Sequence, residues 1–255
     1  MKEQSKTQQV YEEFHKDAEA LTDIISPQDF TYNNVLRIIN RHLWSEAEIL
    51  DIGCGTGVVS LYLASQGNIV TGIDISKKAA EAARLSAEAV GLENVSFSAM
   101  SFPEHCLLNG KFDFIVCSEV LEHIADDKAA IGKVFSLLSP TGILVLSVPS
   151  RNAPIHRLRM LFRKRDSFDE NVGHLRRYSV HQITDLVRSS NLSVIDVRRA
   201  EGFIRNFFFV TSIGNRLLPF MKWPVMLIID VLDYLTLLLL GESQIFVVAR
   251  KETNG

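Results

Sequence analysis

The seven residues Asp51-Ile52-Gly53-Cys54-Gly55-Thr56-Gly57 constrain the fold of this 255-residue chain more than any other stretch. A short apolar strand, Glu48 to Ile52, runs into them, and a helix, Val58 to Gln66, leaves them. Glycines at such a crossing allow a tight turn and let a ligand approach the backbone closely. The spacing differs from a dinucleotide fingerprint: the third glycine comes one place early, and position 58 is Val. An acidic residue, Asp74, closes the next strand, Asn68 to Ile75. A carboxylate there can accept both hydroxyls of a ribose. A loop with no pyrophosphate to cradle suits an adenosine ligand with one amino-acid tail. The competing reading, an ordinary turn with an exposed Asp, is disfavoured by the loop and Asp74 occurring together in this strand order.

The chain around the loop alternates in the same way. Residues 5–24 and 29–43 read as helices, the second with Val35, Leu36, Ile39 and Leu43 at helical spacing. Ser76 suits the N-cap of an alanine-rich helix running to Val90, and Gly91 suits its stop. Strands are expected at Val95–Ala99, Phe112–Ser118 and Ile143–Val148, with a helix from Asp126 to Leu138 and a turn at Pro140-Thr141-Gly142. Such alternation makes βαβ units and a parallel sheet, with ligands at the carboxyl ends of the strands. After Pro149 the pattern breaks. Residues 151–178 read as a basic loop, Val180–Ser190 as a helix and Ser193–Arg199 as a strand. Residues 203–240 are an apolar insertion before a last strand, Gln244–Ala249. The expected fold is α/β and Rossmann-like: a seven-stranded, mainly parallel sheet with helices on both faces, N-terminal helices and a C-terminal apolar helical insertion.

At these residues a family resemblance is visible. ILDIGCGTG resembles the first motif of class I S-adenosylmethionine-dependent methyltransferases, and VTGIDIS the second. FDFIVCSEVLEH and LLSPTGILVLSVPSRN resemble the fourth and fifth strand regions, so the likeness covers about residues 45 to 150. SEVLEH followed by a strand ending in PSRN is similar to the O-methyltransferases of ubiquinone biosynthesis. The resemblance implies that Gly53, Gly55 and Gly57 wrap the methionine part of S-adenosylmethionine and that Asp51 orients its ammonium. It further implies that Asp74 holds the ribose, Ile75 packs on adenine and Ser118 lies near the sulfonium, with Tyr32 a further candidate. Many relatives carry an acidic residue after the third strand, where this chain has Ala99-Met100-Ser101. Adenine recognition is therefore expected to rest on backbone and Met100. Residues 1–44 would form an N-terminal helical cap and 45–255 the methyltransferase domain, with 151–178 and 203–240 covering the acceptor site.

Glu119, Glu122 and His123 follow the fourth strand, where the acceptor is expected. On a helical turn these positions share a face, and two carboxylates with an imidazole can hold a divalent cation such as Mg²⁺ or Zn²⁺. The cluster also resembles the metal-binding segment of small-RNA 2′-O-methyltransferases, which add a later His. His174 would be that fourth ligand. Two other readings stay open: a capped, salt-bridged helix face, and metal-free general-base catalysis by His123.

Arg157, Arg159, Arg163, Lys164 and Arg165 alternate with Met160, Leu161 and Phe162. Phe203–Val210 and Pro224–Leu240 are rich in aliphatic and aromatic residues, but Asp230 and Asp233 in the second run argue against a bilayer span. With Arg205, Arg216, Lys222 and Trp223 flanking these runs, residues 157–165 and 203–240 suit a contact with a membrane surface. A buried cap or a homodimer interface would use the same residues.

A net charge of −3 gives no general attraction to nucleic acid. Cys54, Cys106 and Cys117 have no metal-type spacing, and the polar N-terminus has no apolar signal core. A cytoplasmic protein, with peripheral contact at the inner face of the membrane, is expected. The expected reaction is O-methylation of an apolar small molecule or lipid-linked acceptor, a quinone-precursor phenol or a glycolipid. Methylation of nitrogen, carbon or an RNA 2′-hydroxyl is the alternative, and a non-catalytic cofactor-binding subunit is the rival from another class.

Overall fold

The glycine loop leaves the carboxyl end of β1 (Glu48–Ile52), whose last four residues are buried. The computed structural model describes residues 2–103, 108–163, 166–217 and 225–252. Cys106, Lys164, Arg165, Lys222, Trp223 and Pro224 lie outside these, as does the side chain of Arg163. The other strands are β2 (Ile69–Asp74), β3 (Val95–Ala99), β4 (Phe112–Ser118), β5 (Leu138–Pro149), β6 (Leu192–Ala200) and β7 (Gln244–Lys251). Their order is β3-β2-β1-β4-β5-β7-β6. The first five run parallel, and β7 runs antiparallel to β5 and β6. The inner strands are nearly continuous apolar runs because helices cover both faces.

Side-chain alternation along the strands separates two cores. On one face, Leu50, Ile52, Ile115 and Leu144 pack with Ile131 and Val134 of α5 (Asp127–Leu137) and Ile183 and Val187 of α8 (Val180–Arg188). On the other, Ile49, Phe114, Val116 and Val145 meet Leu36 and Ile39 of α2 (Asn33–His42) and Leu63 of α3 (Val58–Ser65). Helix α4 (Lys77–Val90) starts where expected: the Ser76 hydroxyl accepts from the Ala79 amide, and Gly91 closes it with a φ of +70°.

Four local expectations need correction. The first helix, α1 (Lys2–Phe14), stops ten residues before position 24. There the Leu21 amide donates to the Ser86 hydroxyl, so the chain crosses over α4 instead of continuing the helix. Pro140-Thr141-Gly142 is not a free turn but part of β5, at a register shift against β4 between Phe112 and Phe114. A β-carbon on Gly142 would sit 2.9 Å from the Phe112 carbonyl oxygen, so glycine permits this close backbone approach. The basic stretch 151–178 is not a loop. It holds α6 (Pro154–Arg163) and α7 (Ser167–Val172). Pro154 occupies the first helical position, the Asp166 carboxylate accepts from the Phe168 amide, and Gly173 ends α7 with a φ of +80°.

The fourth correction concerns Arg205. The apolar insertion folds as α9 (Phe203–Val210), α10 (Ser212–Leu217) and α11 (Val225–Leu240). Arg205 is 3% exposed and does not flank the insertion as a surface charge. It donates to Asp230 (2.9 Å) and to the Asn33 side chain (2.9 Å), and its guanidinium lies 4.2 Å from the centre of the Phe30 ring. Asp233 accepts from the amides of Gly202 and Arg205 (2.8 Å each) and so caps α9 from α11. Asp230 and Asp233, the two acids in this run, therefore anchor the insertion through Arg205 and the start of α9. Away from Ile229 and Asp233, α11 exposes Ile228, Val231, Leu235, Leu238 and Leu239. No helix among the described residues is long and apolar enough to cross a membrane.

Candidate active site

A cavity of about 720 Å³ opens at the carboxyl ends of β1, β2 and β4. Its floor is the glycine loop, with φ of +73° at Gly53 and +54° at Gly55. The amides of Gly53 and Cys54 both donate to the Ile73 carbonyl (2.8 and 3.0 Å), which folds the loop against β2. The Gly55 amide donates to Asp74 Oδ2 (2.9 Å), and the Ser76 amide to Asp74 Oδ1 (2.8 Å). Asp74 is thus fixed by backbone while still lining the cavity. Burial pushes its pKa up, against the lowering effect of these two hydrogen bonds. Asp51 accepts from the Ser60 hydroxyl (2.6 Å), and burial pushes its carboxyl up to about 6.

Ile75, Met100, Ser118 and Tyr32 also line the cavity. The Met100 amide is taken by the Asp74 carbonyl (2.7 Å), so Met100 presents its side chain there, not a free backbone donor. Gly57 is not among the lining residues. It carries a φ of +88°, and a β-carbon on it would sit 2.9 Å from the Phe97 ring, so this glycine serves helix-to-sheet packing. Gly53 borders the cavity but also faces Val120, whose methyl would lie 2.3 Å from an added β-carbon.

The E-x-x-E-H cluster divides. Glu119 has a φ of +55° and precedes a 3-10 turn, Leu121–His123. Spacing on a regular helix therefore does not apply, and Glu119 stands apart from the other two. Its carboxylate lines the cavity and accepts from the Ser147 hydroxyl (3.0 Å) and the Gln244 amide (3.1 Å), while Ser118 and Ser147 share a 2.9 Å hydrogen bond. Glu122, His123 and His174 do come together, with ligand atoms all within 4.8 Å of one another. Glu122 is fully buried and neither carboxyl oxygen has a hydrogen-bond partner. One of them lies 3.8 Å from Nε2 of both histidines. His123 Nδ1 is 3.1 Å from the Gly173 carbonyl, which only accepts, so Nδ1 carries the proton and Nε2 keeps its lone pair. His174 Nδ1 is 2.9 Å from Asp169. Burial and the neighbouring His174 push His123 down to about 4, so it is neutral at pH 7. Asp169 is itself gripped by Arg177 through Nε (2.8 Å) and Nη2 (2.6 Å).

Sequence reasoning missed the contribution of α1. Tyr11, Phe14 and His15 line the cavity, and the Tyr11 ring meets the His123 ring edge-on at 5.2 Å. Glu12 accepts from the Lys77 amide (2.8 Å) and the Ser76 hydroxyl (3.2 Å), pinning α1 to the start of α4. The available signal was three adjacent or near-adjacent apolar residues, Val10, Tyr11 and Phe14, at the end of an otherwise polar helix.

The sheet order, the glycine loop and the carboxylate on the neighbouring strand define a class I methyltransferase fold. More specifically, the chain belongs to the methyltransferase-domain family, whose profile matches residues 28–197. It is 39% identical over 111 residues to the ubiquinone biosynthesis O-methyltransferase of Histophilus somni, covering 42% of this chain and 47% of that one. The chain thus matches a little under half the length of that curated relative. Among solved structures, a SAM-dependent methyltransferase of Methanosarcina mazei superposes with a TM-score of 0.59 and 24% identity, over 84% of this chain and 96% of that one. The 1,6-didemethyltoxoflavin-N1-methyltransferase of Burkholderia thailandensis, solved with S-adenosylhomocysteine, gives 0.58 and 20% identity, over 89% and 80%.

Proposed function

We propose that this chain transfers a methyl group from S-adenosylmethionine to an oxygen of an apolar small-molecule or lipid-linked acceptor. The observation that carries the reading is Asp74: a buried carboxylate, held by the Gly55 and Ser76 amides, at the wall of a cavity floored by the glycine loop. The cavity fits the cofactor, since Asp74 would accept the ribose hydroxyls and Asp51 would face the ammonium. Ile75 and Met100 would flank the adenine, and Ser118 with Gly53 and Gly55 the amino-acid end. Bound there, S-adenosylmethionine would supply an electrophilic methyl to the acceptor oxygen, with S-adenosylhomocysteine as the leaving group and the acceptor proton passing to water. Tyr11, Phe14 and Tyr32 exclude water, and holding both reactants in line lowers the barrier by several kcal/mol. Residues 1–44 act as the cap over this cavity, and 45–255 as the methyltransferase domain.

Glu122, His123 and His174 fit a divalent cation, because the Glu122 oxygens have no other partner and two imidazole lone pairs face them. Two imidazoles and one carboxylate suit Zn²⁺ better than Mg²⁺. Such a cation would acidify an acceptor hydroxyl and fix it near the methyl. Gly173 and Asp169 hold the two rings in the ligating tautomer. Oxygen as the acceptor atom rests on the likeness to the ubiquinone enzymes.

The reading extends to a membrane surface. Residues 157–165 and 203–240 offer the aliphatic face of α11 and the exposed Leu161 and Phe162 of α6, beside the exposed Arg157 and Arg216. Co-sedimentation with anionic vesicles tests this, and no binding contradicts it. The reaction is tested by incubating the chain with labelled S-adenosylmethionine and a panel of phenols. Acceptor-dependent S-adenosylhomocysteine supports it, and failure to bind either nucleoside overturns it.

A further inference from the structure

Behind the Glu122–His123–His174 cluster lies a second cavity, of about 680 Å³. Arg151, Arg157, Arg176 and Arg177 line it, with Asp169 as the only acidic lining residue among those described. Asp169 is matched by Arg177, and Arg176 is held by Asp127 (2.7 Å) and the Ala125 carbonyl (2.8 Å). Among the described residues no carboxylate pairs with Arg151 or Arg157. Arg157 reaches only the Leu240 carbonyl at 3.2 Å. Two guanidinium groups at one cavity with no counter-ion among the described residues form a seat for an oxyanion, and phosphate matches their planar fork.

The rim is of opposite character. Met160 and Leu161 line the cavity and are exposed, and the Arg157–Leu240 contact joins this rim to the aliphatic face of α11. An ion that is only inorganic would leave that rim unused. The two cavities also adjoin: Leu175 lines both, His123 lines the first and His174 the second. A ligand anchored on Arg151 and Arg157 therefore lies beside the acceptor end of the first cavity. We propose that the second cavity seats the phosphate group of an amphiphilic methyl acceptor, its apolar chain lying along α6 and the end of α11. This rests on the methyl-transfer reading of the first cavity and adds the class of acceptor.

Octyl phosphate, octanol and inorganic phosphate, titrated calorimetrically into the full chain, test the seat independently of turnover. Octyl phosphate binding at least tenfold more tightly than octanol, and weakened at least tenfold by Arg151→Glu/Arg157→Glu, is the expected result. Retained folding of the variant is checked by its melting temperature and its affinity for S-adenosylhomocysteine. Equal binding of octyl phosphate and octanol, or no effect of the charge reversal, overturns the proposal. Vesicles of phosphatidylglycerol separate the sources of the phosphate. Their loss by the double variant assigns it to a lipid headgroup, and retained vesicle binding with lost octyl phosphate binding assigns it to a soluble ligand; either supports the seat. In turnover, a phenol carrying an alkyl phosphate chain is expected to exceed its alkyl alcohol counterpart at least tenfold in kcat/KM, and to lose that advantage in the variant. Turnover of both without discrimination removes the acceptor class while leaving methyl transfer standing. Failure of S-adenosylhomocysteine to bind removes the reading of the first cavity instead.

Discussion

Affinity for S-adenosylhomocysteine is expected to fall about tenfold between pH 7 and pH 5, because Asp51 must be ionised to face the ligand's ammonium. Burial raises its carboxyl to about 6 in the free chain. About nine-tenths of the chains then carry the anion at pH 7 and about one-tenth at pH 5, a ratio near ten. Asp74 shifts in the same direction through burial, so it adds to the effect and does not cancel it. The raised value also sets the sign for the free chain. The contribution of Asp51 to stability is fully present below its unfolded value, near 4, and is lost as pH rises through about 6. Ligand binding, which favours the anion, offsets that loss, so the rise in melting temperature on adding ligand is larger at pH 7 than at pH 5. Asp51→Asn, which keeps the shape and removes the charge, is expected to weaken binding at pH 7 by about 1.5–3 kcal/mol, the worth of a hydrogen bond to a charged group. It also flattens the pH profile to whatever Asp74 contributes. Calorimetric titrations at five values between pH 5 and 8 measure both. A wild-type profile without slope, or an Asn variant with the wild-type profile, refutes the assignment of Asp51.

Glu122→Gln is expected to lower Zn²⁺ affinity by tenfold or more in a calorimetric titration, with the affinity for S-adenosylhomocysteine retained; unchanged Zn²⁺ binding removes the cation site. Gly57→Ala forces a β-carbon against Phe97 at a positive φ and is expected to destabilise the chain by about 1–3 kcal/mol in chemical denaturation. An unaffected midpoint would show that the loop relaxes freely there. Arg205→Met takes from Asp230 the closer of its two cations, leaving Arg37 at 3.7 Å, and cuts the tie to Asn33, with an expected loss of about 1–3 kcal/mol and faster proteolysis within 203–240. Wild-type resistance would mean that the insertion is held by apolar packing alone.

The sheet was legible because its strands are apolar runs with punctuation that acts locally. Ser76 and Gly91 cap the helix that their positions announced. The wall of the first cavity was legible for the same reason: Asp51, Gly55 and Asp74, which line it, are fixed by β1, β2 and the turn between β1 and α3. What failed depended on distant contacts. The dense arginines of 151–178 masked the Pro154, Asp166 and Gly173 signals, and Arg159 turns inward to Asp166. Glu119 stands apart from Glu122, His123 and His174 because a left-handed backbone precedes the turn, and a helical spacing argument cannot see a positive φ. Arg205 read as a surface charge because its partners, Asp230 and Asn33, are 25 and 172 residues away. Glu12 and Tyr11 reach the site only because α1 folds back across α4.

A crystal structure of the chain grown with saturating S-adenosylhomocysteine puts the account to its hardest trial. The adenosine is expected in the first cavity, with its two ribose oxygens within about 3 Å of the Asp74 carboxylate and its sulfur turned toward Ser118 and Glu119. An empty cavity, or the nucleoside bound elsewhere on the chain, contradicts it.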